Sequence, residues 1–387
     1  MNTKWLEQWF EKIEPKGKWA WLGSTYEAFH TFAFTPKTVT RNGSHIRDAV
    51  DMKRSIIIVV IALMPALLFG MWNIGYQSGM NGVNGLDGLL PCWWFGFLRM
   101  LPMIAVSYIV GLGIEFAFAQ YRGHEVNEGF LATGLLIPMI VPVTTPLWQL
   151  ALAVAFAVII GKEVFGGSGM NFLNPALVAR AFLFFAYHTH MSGDHVWIAN
   201  DLWGSDAIAG ATPMGQLATG SHPSASALDM LIGTIPGSTC ETSVIAIALG
   251  AILLLMTGIA SWRIMLSVFV GGGAMGLLFN AIGGTVYLDL PFYYHFLMGG
   301  FAFGAVFMAT DPVTAAQTNC GKWIYGLLIG AFAVLLRVAN PAYPEGMMLS
   351  ILLMNCMAPL IDHCVVARNI KQREKRAATQ RKEVNNG

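Results

Sequence analysis

The stretch Ser55-Ile-Ile-Ile-Val-Val-Ile-Ala-Leu-Met-Pro-Ala-Leu-Leu-Phe-Gly-Met-Trp72 contains no charged residue. An α-helix needs about 20 apolar residues to cross the hydrocarbon core of a bilayer, so this stretch predicts a membrane-spanning helix. Over all 387 residues, 55% are hydrophobic and 12% are charged, whereas soluble domains carry roughly 25% charged residues. The chain is therefore expected to be an all-α polytopic protein embedded in a lipid bilayer.

Hydrophobic segments of this kind recur along the chain and predict about ten transmembrane helices. The third and fifth segments are short for a full crossing. The ten segments cover residues 55–72, 94–119, 129–141, 147–160, 174–187, 243–260, 264–282, 296–310, 325–338 and 346–361.

Basic residues predict the orientation of these helices, because they remain in cytoplasmic loops. The loop after the fifth segment, from about His188 to Glu241, contains no Lys or Arg and is expected outside. Both termini are expected in the cytoplasm, which requires an even number of spans. A net charge of +1 argues against nucleic acid as a partner. The basic residues that flank the apolar region are Arg41, Arg47, Lys53, Arg54, Arg368, Lys371, Arg373, Lys375, Arg376, Arg381 and Lys382.

Four short motifs occur in the same order in the two halves of the chain. An odd number of spans in each half predicts two inverted five-helix repeats, and short Gly/Pro-interrupted segments predict broken half-helices that meet near the membrane midplane. The doubled Asn-Pro-Ala is also typical of aquaporins, which are shorter and lack a long acidic outer loop. The motif pairs are Gly129-Phe130 and Gly300-Phe301, Pro142-Val-Thr144 and Pro312-Val-Thr314, Gly161-Lys162 and Gly321-Lys322, and Asn174-Pro-Ala176 and Asn340-Pro-Ala342.

This organisation divides the chain into five predicted regions. They are a cytoplasmic N-terminal segment (1–54), a first five-helix repeat (55–187), a periplasmic loop (188–242), a second five-helix repeat (243–362) and a basic cytoplasmic tail (363–387).

Four carboxylates lie within or near the spans, where ionisable groups are costly and indicate function. Their oxygens suit a hard cation such as Na⁺, or a proton relay. Glu115 lies well inside an apolar run, whereas Glu27, Asp311 and Asp362 also fit solvated positions at the interface. The Asp311-Pro312 pair fits a turn at a helix end equally well.

The outer loop contains the segment Asp206-Ala-Ile-Ala-Gly-Ala-Thr212-Pro213. Small neighbours leave the Thr212 hydroxyl accessible to a second enzyme, which indicates a modified side chain. An unmodified loop threonine is the alternative. The sequence contains no Walker A motif and no dinucleotide fingerprint after a strand, so the chain itself is not expected to bind NADH.

Longer motifs resemble the NqrB family, a membrane component of the sodium-translocating NADH:quinone oxidoreductase (Nqr), from about Trp5 to Lys371. The related RnfD proteins of Rnf complexes share the fold and the flavin motif but lack the long N-terminal extension. The motifs that carry the resemblance are the run from Gly161 to Tyr187, His124-Glu-Val-Asn-Glu-Gly129, Ile235-Pro-Gly-Ser238, Glu241-Thr-Ser243, Ala260-Ser-Trp-Arg-Ile264, Met308-Ala-Thr-Asp-Pro312 and Asn340-Pro-Ala-Tyr-Pro-Glu-Gly346.

The resemblance implies the site residues. It implies that a flavin transferase attaches FMN to Thr212 through a phosphoester, with Asp206 and Gly210 as part of the recognised motif. Ala207 and Ala209 depart from that motif. It further implies a riboflavin site and a Na⁺ pathway, formed respectively by Asn171 and Asn174 and by Glu27, Glu115, Asp311 and Asp362.

The implied function is that of a membrane component in a six-protein complex of the bacterial inner membrane. With NqrA, NqrC, NqrD, NqrE and NqrF, such a complex passes electrons from NADH through flavins to ubiquinone and exports Na⁺. Two alternatives remain open at this stage: an Rnf-type electron-transport component and a cofactor-free channel or transporter.

Overall fold

The computed structural model describes residues 26, 42–44, 52–80, 86, 88–122, 129–199, 210–340 and 346–386. Glu27 and Asp206 therefore lie outside the described residues. The helices of the described part are α1 (Met52–Met80), α2 (Leu89–Arg122), α3 (Phe130–Ile140), α4 (Leu147–Gly161), α5 (Pro175–Ala186), α6 (Pro213–Ala218), α7 (Ala227–Ile232), α8 (Val244–Met256), α9 (Trp262–Ile282), α10 (Tyr294–Leu297), α11 (Phe301–Phe303), α12 (Asn319–Ala339) and α13 (Gly346–Asn386).

Each of the ten predicted segments contains helix, which confirms the prediction of an all-α polytopic membrane protein. Three apolar helices, α3, α5 and α8, are shorter than a full crossing, and the eighth segment is broken into α10, α11 and a π-helical turn at Gly304–Met308. Six helical stretches are long and apolar enough to span a bilayer: Arg54–Met80, Leu89–Arg122, Leu147–Phe165, Trp262–Ile282, Asn319–Ala339 and Gly346–Thr379.

Local chemistry explains where the broken helices start. Asn174 caps α5, because its side chain accepts a hydrogen bond from the Ala176 amide while Pro175 occupies the first turn. Gly299 and Gly300 separate α10 from α11 with φ values of +59° and +65°, a backbone conformation that favours glycine. A Cβ atom on Gly300 would lie 2.7 Å from the Glu241 carboxylate. Both the conformation and the crowding therefore require glycine at this break.

The two halves of the chain repeat the same packing. In the first half α2 contacts α4 and α4 contacts α5, while in the second half α9 contacts α12 and α12 contacts α13. The half-helix α3 packs on α1, α2 and α5, and the segment of α11 with its π turn packs on α8, α9 and α13. The halves meet where α1 contacts α8 and α5 contacts α13.

The two broken segments run in opposite directions, as inverted repeats require. The start of α3, near Gly129, lines the same cavity as Thr310 and Asp311, which follow the end of the π turn. The Gly-Phe and Pro-Val-Thr motifs therefore occupy equivalent places at the two broken segments.

The pairing of the other two motifs was wrong. Gly161 is the last residue of α4, whereas Gly321 lies in the first turn of α12. Asn174 precedes α5 as its cap, whereas Asn340 follows the end of α12, and Pro341 and Ala342 lie outside the described residues. Gly and Asn favour either end of a helix, so their recurrence reports helix termini rather than equivalent positions.

The helix pair α9–α12 makes a close contact through glycine. A Cβ atom on Gly330 would overlap the Val268 carbonyl and lie 2.6 Å from the Gly272 amide nitrogen, and one on Gly271 would overlap the Leu327 carbonyl. Small residues of this kind let membrane helices approach closely.

We expect Gly330→Val to push α9 and α12 apart and to lower the stability of the folded chain by about 1–3 kcal/mol, the usual cost of overpacking. Thermal unfolding of the purified protein in detergent measures this change. The control is Gly113→Ala on α2, where an added Cβ meets no atom within 4 Å. Equal midpoints for the two variants would contradict the proposed close contact.

Candidate functional site

Two cavities lie at opposite ends of the broken segment that contains α11. The Thr212 cavity lies at its start, beside Gly299 and Gly300, and is lined in addition by Trp197, Thr212, Pro213, Met214, Ile235, Pro236, Gly237, Ser238, Glu241, Thr242, Leu297 and Met298. The Asp311 cavity lies at its end and has a volume of about 420 Å³.

Thr212 ends the extended segment before α6 and lines the Thr212 cavity with a half-buried side chain. Its hydroxyl oxygen accepts a hydrogen bond from the Gly215 amide at 3.0 Å, as in an ordinary helix cap. Gly210 lies close by, where a Cβ atom would overlap the Ile198 side chain. The capped hydroxyl is thus held at the cavity wall, a position that fits both a modified and an unmodified threonine.

Buried arginines surround the Thr212 cavity. Arg180 on α5 forms a salt bridge of 2.7 Å with Glu241, and both side chains are less than one tenth exposed. Arg180 also donates to the Ser238 hydroxyl at 3.0 Å. Arg337 on α12 is fully buried and donates to the carbonyls of the loop before α11, at His295 (2.7 Å), Met298 (3.1 Å) and Gly299 (2.7 Å).

Sequence reasoning missed these arginines, because basic residues were used there only to orient the helices. A signal was available: Arg180 lies inside the fifth apolar segment and Arg337 inside the ninth. A charge within a span indicates function or an internal partner whatever its sign.

The Asp311 cavity brings together two residues that the sequence had given different roles. The Asn174 amide lies 3.5 Å from one carboxylate oxygen of Asp311, and both residues line the cavity. Asp311 also accepts from the Thr314 hydroxyl at 2.9 Å and from the Val313 amide at 3.2 Å, so it forms a helix-end turn as well. The remaining wall includes Ser55, Ile56, Val59, Gly129, Ala132, Thr133, Leu136, Ser168, Gly169, Pro175, Leu254, Ile259, Ala260, Phe307, Thr310, Pro312 and Val313.

Asn171 does not join this cavity. Its amide donates to the Leu173 carbonyl at 2.9 Å, within its own loop. Of the two asparagines that the family resemblance assigned to riboflavin, only Asn174 therefore faces the space that a ligand would occupy.

Glu115 is paired rather than open. Its carboxylate forms a buried ion pair with Lys162 at the end of α4, and the Lys162 ammonium lies 5.9 Å from the centre of the Phe130 ring. The neighbouring Glu163 pairs with Arg122 at 3.2 Å. Two acids and two bases thus tie α2 to the end of α4.

Asp362 on α13 anchors another helix. Its carboxylate accepts hydrogen bonds from the Gln317 amide (2.7 Å), the Thr318 amide (3.0 Å) and the Thr318 hydroxyl (2.5 Å), directly before α12. Among the described residues, the predicted acids Glu115, Asp311 and Asp362 therefore occupy three separate places and share no ligand site. No cluster of three His, Cys, Asp or Glu side chains suited to a metal occurs in that part of the chain.

Broken helices that separate two cavities within a polytopic bundle define a class of membrane proteins that hold cofactors or ions between inverted repeats. A family model described as the NQR2, RnfD, RnfE family matches residues 39–371. The chain belongs to this family, so the resemblance seen in the sequence is confirmed.

Three curated relatives are named as the B-type subunit of the Na(+)-translocating NADH-quinone reductase. The protein of Ectopseudomonas mendocina is 48% identical over 95% of this chain and 96% of its own length. Those of Stutzerimonas stutzeri and Azotobacter vinelandii are 47% and 46% identical over the same shares.

We expect Lys162→Met to leave the Glu115 carboxylate buried without its partner and to cost about 3–5 kcal/mol of stability. The double variant Lys162→Met with Glu115→Gln removes both charges and is expected to recover much of the loss. Thermal unfolding of the wild type, both single variants and the double variant gives the coupling energy between the two side chains. Additive losses would contradict the ion pair.

Proposed function

We propose that this chain is the NqrB component of a Na⁺-translocating NADH–quinone reductase and that it carries FMN on Thr212 through a phosphoester. The observation that carries the proposal is the place of Thr212, whose hydroxyl lies at the wall of a cavity at the start of a broken helix. The names of the relatives support the assignment of the complex.

The walls of the Thr212 cavity suit an aromatic ring system. Trp197, Ile235, Leu297 and Met298 offer apolar surface, while Glu241 is a polar group within the same wall. Small-molecule sites combine these features: mostly apolar walls with a few fixed polar groups. When bound, FMN supplies one- and two-electron redox chemistry, and the residues of the chain fix its position and electrostatic surroundings.

The buried guanidinium groups of Arg180 and Arg337 contribute to those surroundings. Glu241 neutralises Arg180 directly, whereas Arg337 donates to backbone carbonyls of the loop that borders the cavity. Positive charge inside a membrane acts through a low dielectric and favours added electrons nearby.

Riboflavin is proposed to bind in the Asp311 cavity. Its volume of about 420 Å³ falls within the roughly 300–1,000 Å³ typical of small-molecule sites. Asn174, Thr133, Thr310 and Asp311 place hydrogen-bonding groups in an otherwise mainly apolar wall. An isoalloxazine edge carries both donors and acceptors, which an amide side chain matches. The segment from Gly300 to Asp311 then separates the two flavins by roughly 15 Å, at 1.5 Å per helical residue.

The proposed function extends to an ion pathway, to partner proteins and to a place in the cell. Glu27, Glu115, Asp311 and Asp362 are proposed to contribute to a Na⁺ pathway, and ubiquinone is proposed as the electron acceptor of the complex. NqrA, NqrC, NqrD, NqrE and NqrF are the proposed partners, and a flavin transferase matures Thr212. The chain is placed in the bacterial inner membrane with both termini in the cytoplasm, as its flanking basic residues favour.

Intact-mass measurement tests the covalent flavin. In cells that contain the flavin transferase, the denatured wild-type chain is expected to carry the mass of one esterified FMN, and Thr212→Ala is expected to lose it. Thr219→Ala, in the same loop with an exposed hydroxyl that donates to the Gln216 carbonyl, is the matched control and is expected to keep the adduct. An unmodified wild-type chain would reject the proposal and favour a cofactor-free transporter.

Flavin content tests the second cofactor. Asn174→Ser retains a side-chain cap for α5 but removes the amide from the Asp311 cavity, so noncovalent flavin in the purified complex is expected to fall at least tenfold. Asn171→Ser, which changes an amide outside the cavity, is expected to retain most of it. Extraction with acid followed by chromatography quantifies riboflavin, and an equal content in both variants would place this flavin elsewhere.

A further inference from the structure

Thr239 lies in a cluster of oxygen atoms outside both proposed flavin sites. Its hydroxyl oxygen is 2.7 Å from the Pro138 carbonyl, 3.0 Å from the Met139 carbonyl and 2.9 Å from the Val141 carbonyl. The residue is 2% exposed. A hydroxyl has one proton and so satisfies only one of the three acceptors at a time.

Backbone amides account for part of this cluster. The Cys240 amide donates to the Met139 carbonyl at 3.0 Å, and the Thr239 amide donates to the Val141 carbonyl at 3.4 Å. Each carbonyl has two lone pairs, so each keeps one toward the Thr239 hydroxyl. The four oxygens, three carbonyl and one hydroxyl, form a small polar site among buried side chains.

The cluster coincides with the end of a half-helix. The helix α3 ends at Ile140, where Val141 takes an extended conformation. Its last carbonyls lack donors within the helix and carry the negative end of the helix dipole. In transporters with inverted repeats, unwound carbonyls and the carboxyl ends of half-helices coordinate Na⁺.

The cluster also lies between the two cavities. Leu136, one turn earlier on α3, lines the Asp311 cavity. Ser238 and Glu241, on either side of the Thr239–Cys240 pair, line the Thr212 cavity. An ion that passes from one cavity to the other therefore meets these oxygens on the way.

We propose that the Thr239 hydroxyl and the Pro138, Met139 and Val141 carbonyls bind one dehydrated Na⁺ midway between the cavities. The ligands are neutral, which suits a monovalent cation better than a divalent one, and hard oxygen atoms suit an alkali cation. Binding turns the hydroxyl proton away and directs its lone pairs to the ion. This inference rests on the proposed function, in which Na⁺ crosses the membrane through this chain.

The test uses the purified complete complex. Thr239→Val removes the hydroxyl with little change of shape and is expected to raise the Na⁺ concentration for half-maximal quinone reduction at least tenfold, with a matching loss of ²²Na⁺ binding. Thr239→Ser keeps the oxygen and is expected to stay within threefold of the wild type. Thr145→Val is the matched control: Thr145 is 4% exposed and its hydroxyl contacts the single Pro142 carbonyl at 2.8 Å.

Each outcome assigns the failure to one proposal. Unchanged Na⁺ dependence and binding in Thr239→Val, with FMN still on Thr212, would overturn the site and leave the proposed function intact. A wild-type complex that shows no Na⁺ dependence would overturn the proposed function itself. If Thr239→Val does not assemble, wild-type crystals grown with Tl⁺ decide: an anomalous peak among the four oxygens supports the site, and its absence overturns it.

Discussion

A backbone that breaks inside a membrane must find hydrogen-bond partners within the protein, since lipid offers none. This constraint explains the interior of the bundle. The carbonyls that follow α3 receive the Thr239 and Cys240 amides, and the loop before α11 receives the guanidinium of Arg337. Each break is therefore covered by a residue from a distant part of the chain, and those partners hold the half-helices in place.

The same constraint determines how charges are accommodated. A charge removed from water needs a partner and well-aligned hydrogen bonds to offset the loss of hydration. Glu115 finds Lys162 and Glu241 finds Arg180, so each pair joins two elements of the first repeat or joins that repeat to the outer loop. Residues that composition marks as pathway candidates thereby also determine the relative positions of helices.

The cavities follow from this arrangement. Two half-helices that stop short leave space at both ends of the bundle, and the polar groups that terminate them become the cavity walls. Asn174 and Asp311 illustrate the dual use: one caps α5, the other closes a turn after the π helix, and both face the same space. A site built from helix ends needs few additional polar residues, which suits a chain with only 12% charged residues.

The sequence by itself determined the ten apolar segments, the shortness of the third and fifth, the accessible loop at Thr212 and the family. Apolar length and small-residue loops are local patterns, so they can be read along the chain. Only the tertiary structure decided that Gly161 and Gly321 lie at opposite helix ends, that Asn171 misses the cavity, and that Lys162 and Arg180 neutralise the buried acids. Those pairs join residues 47 and 61 positions apart, a separation that depends on how the helices pack and that no local pattern encodes.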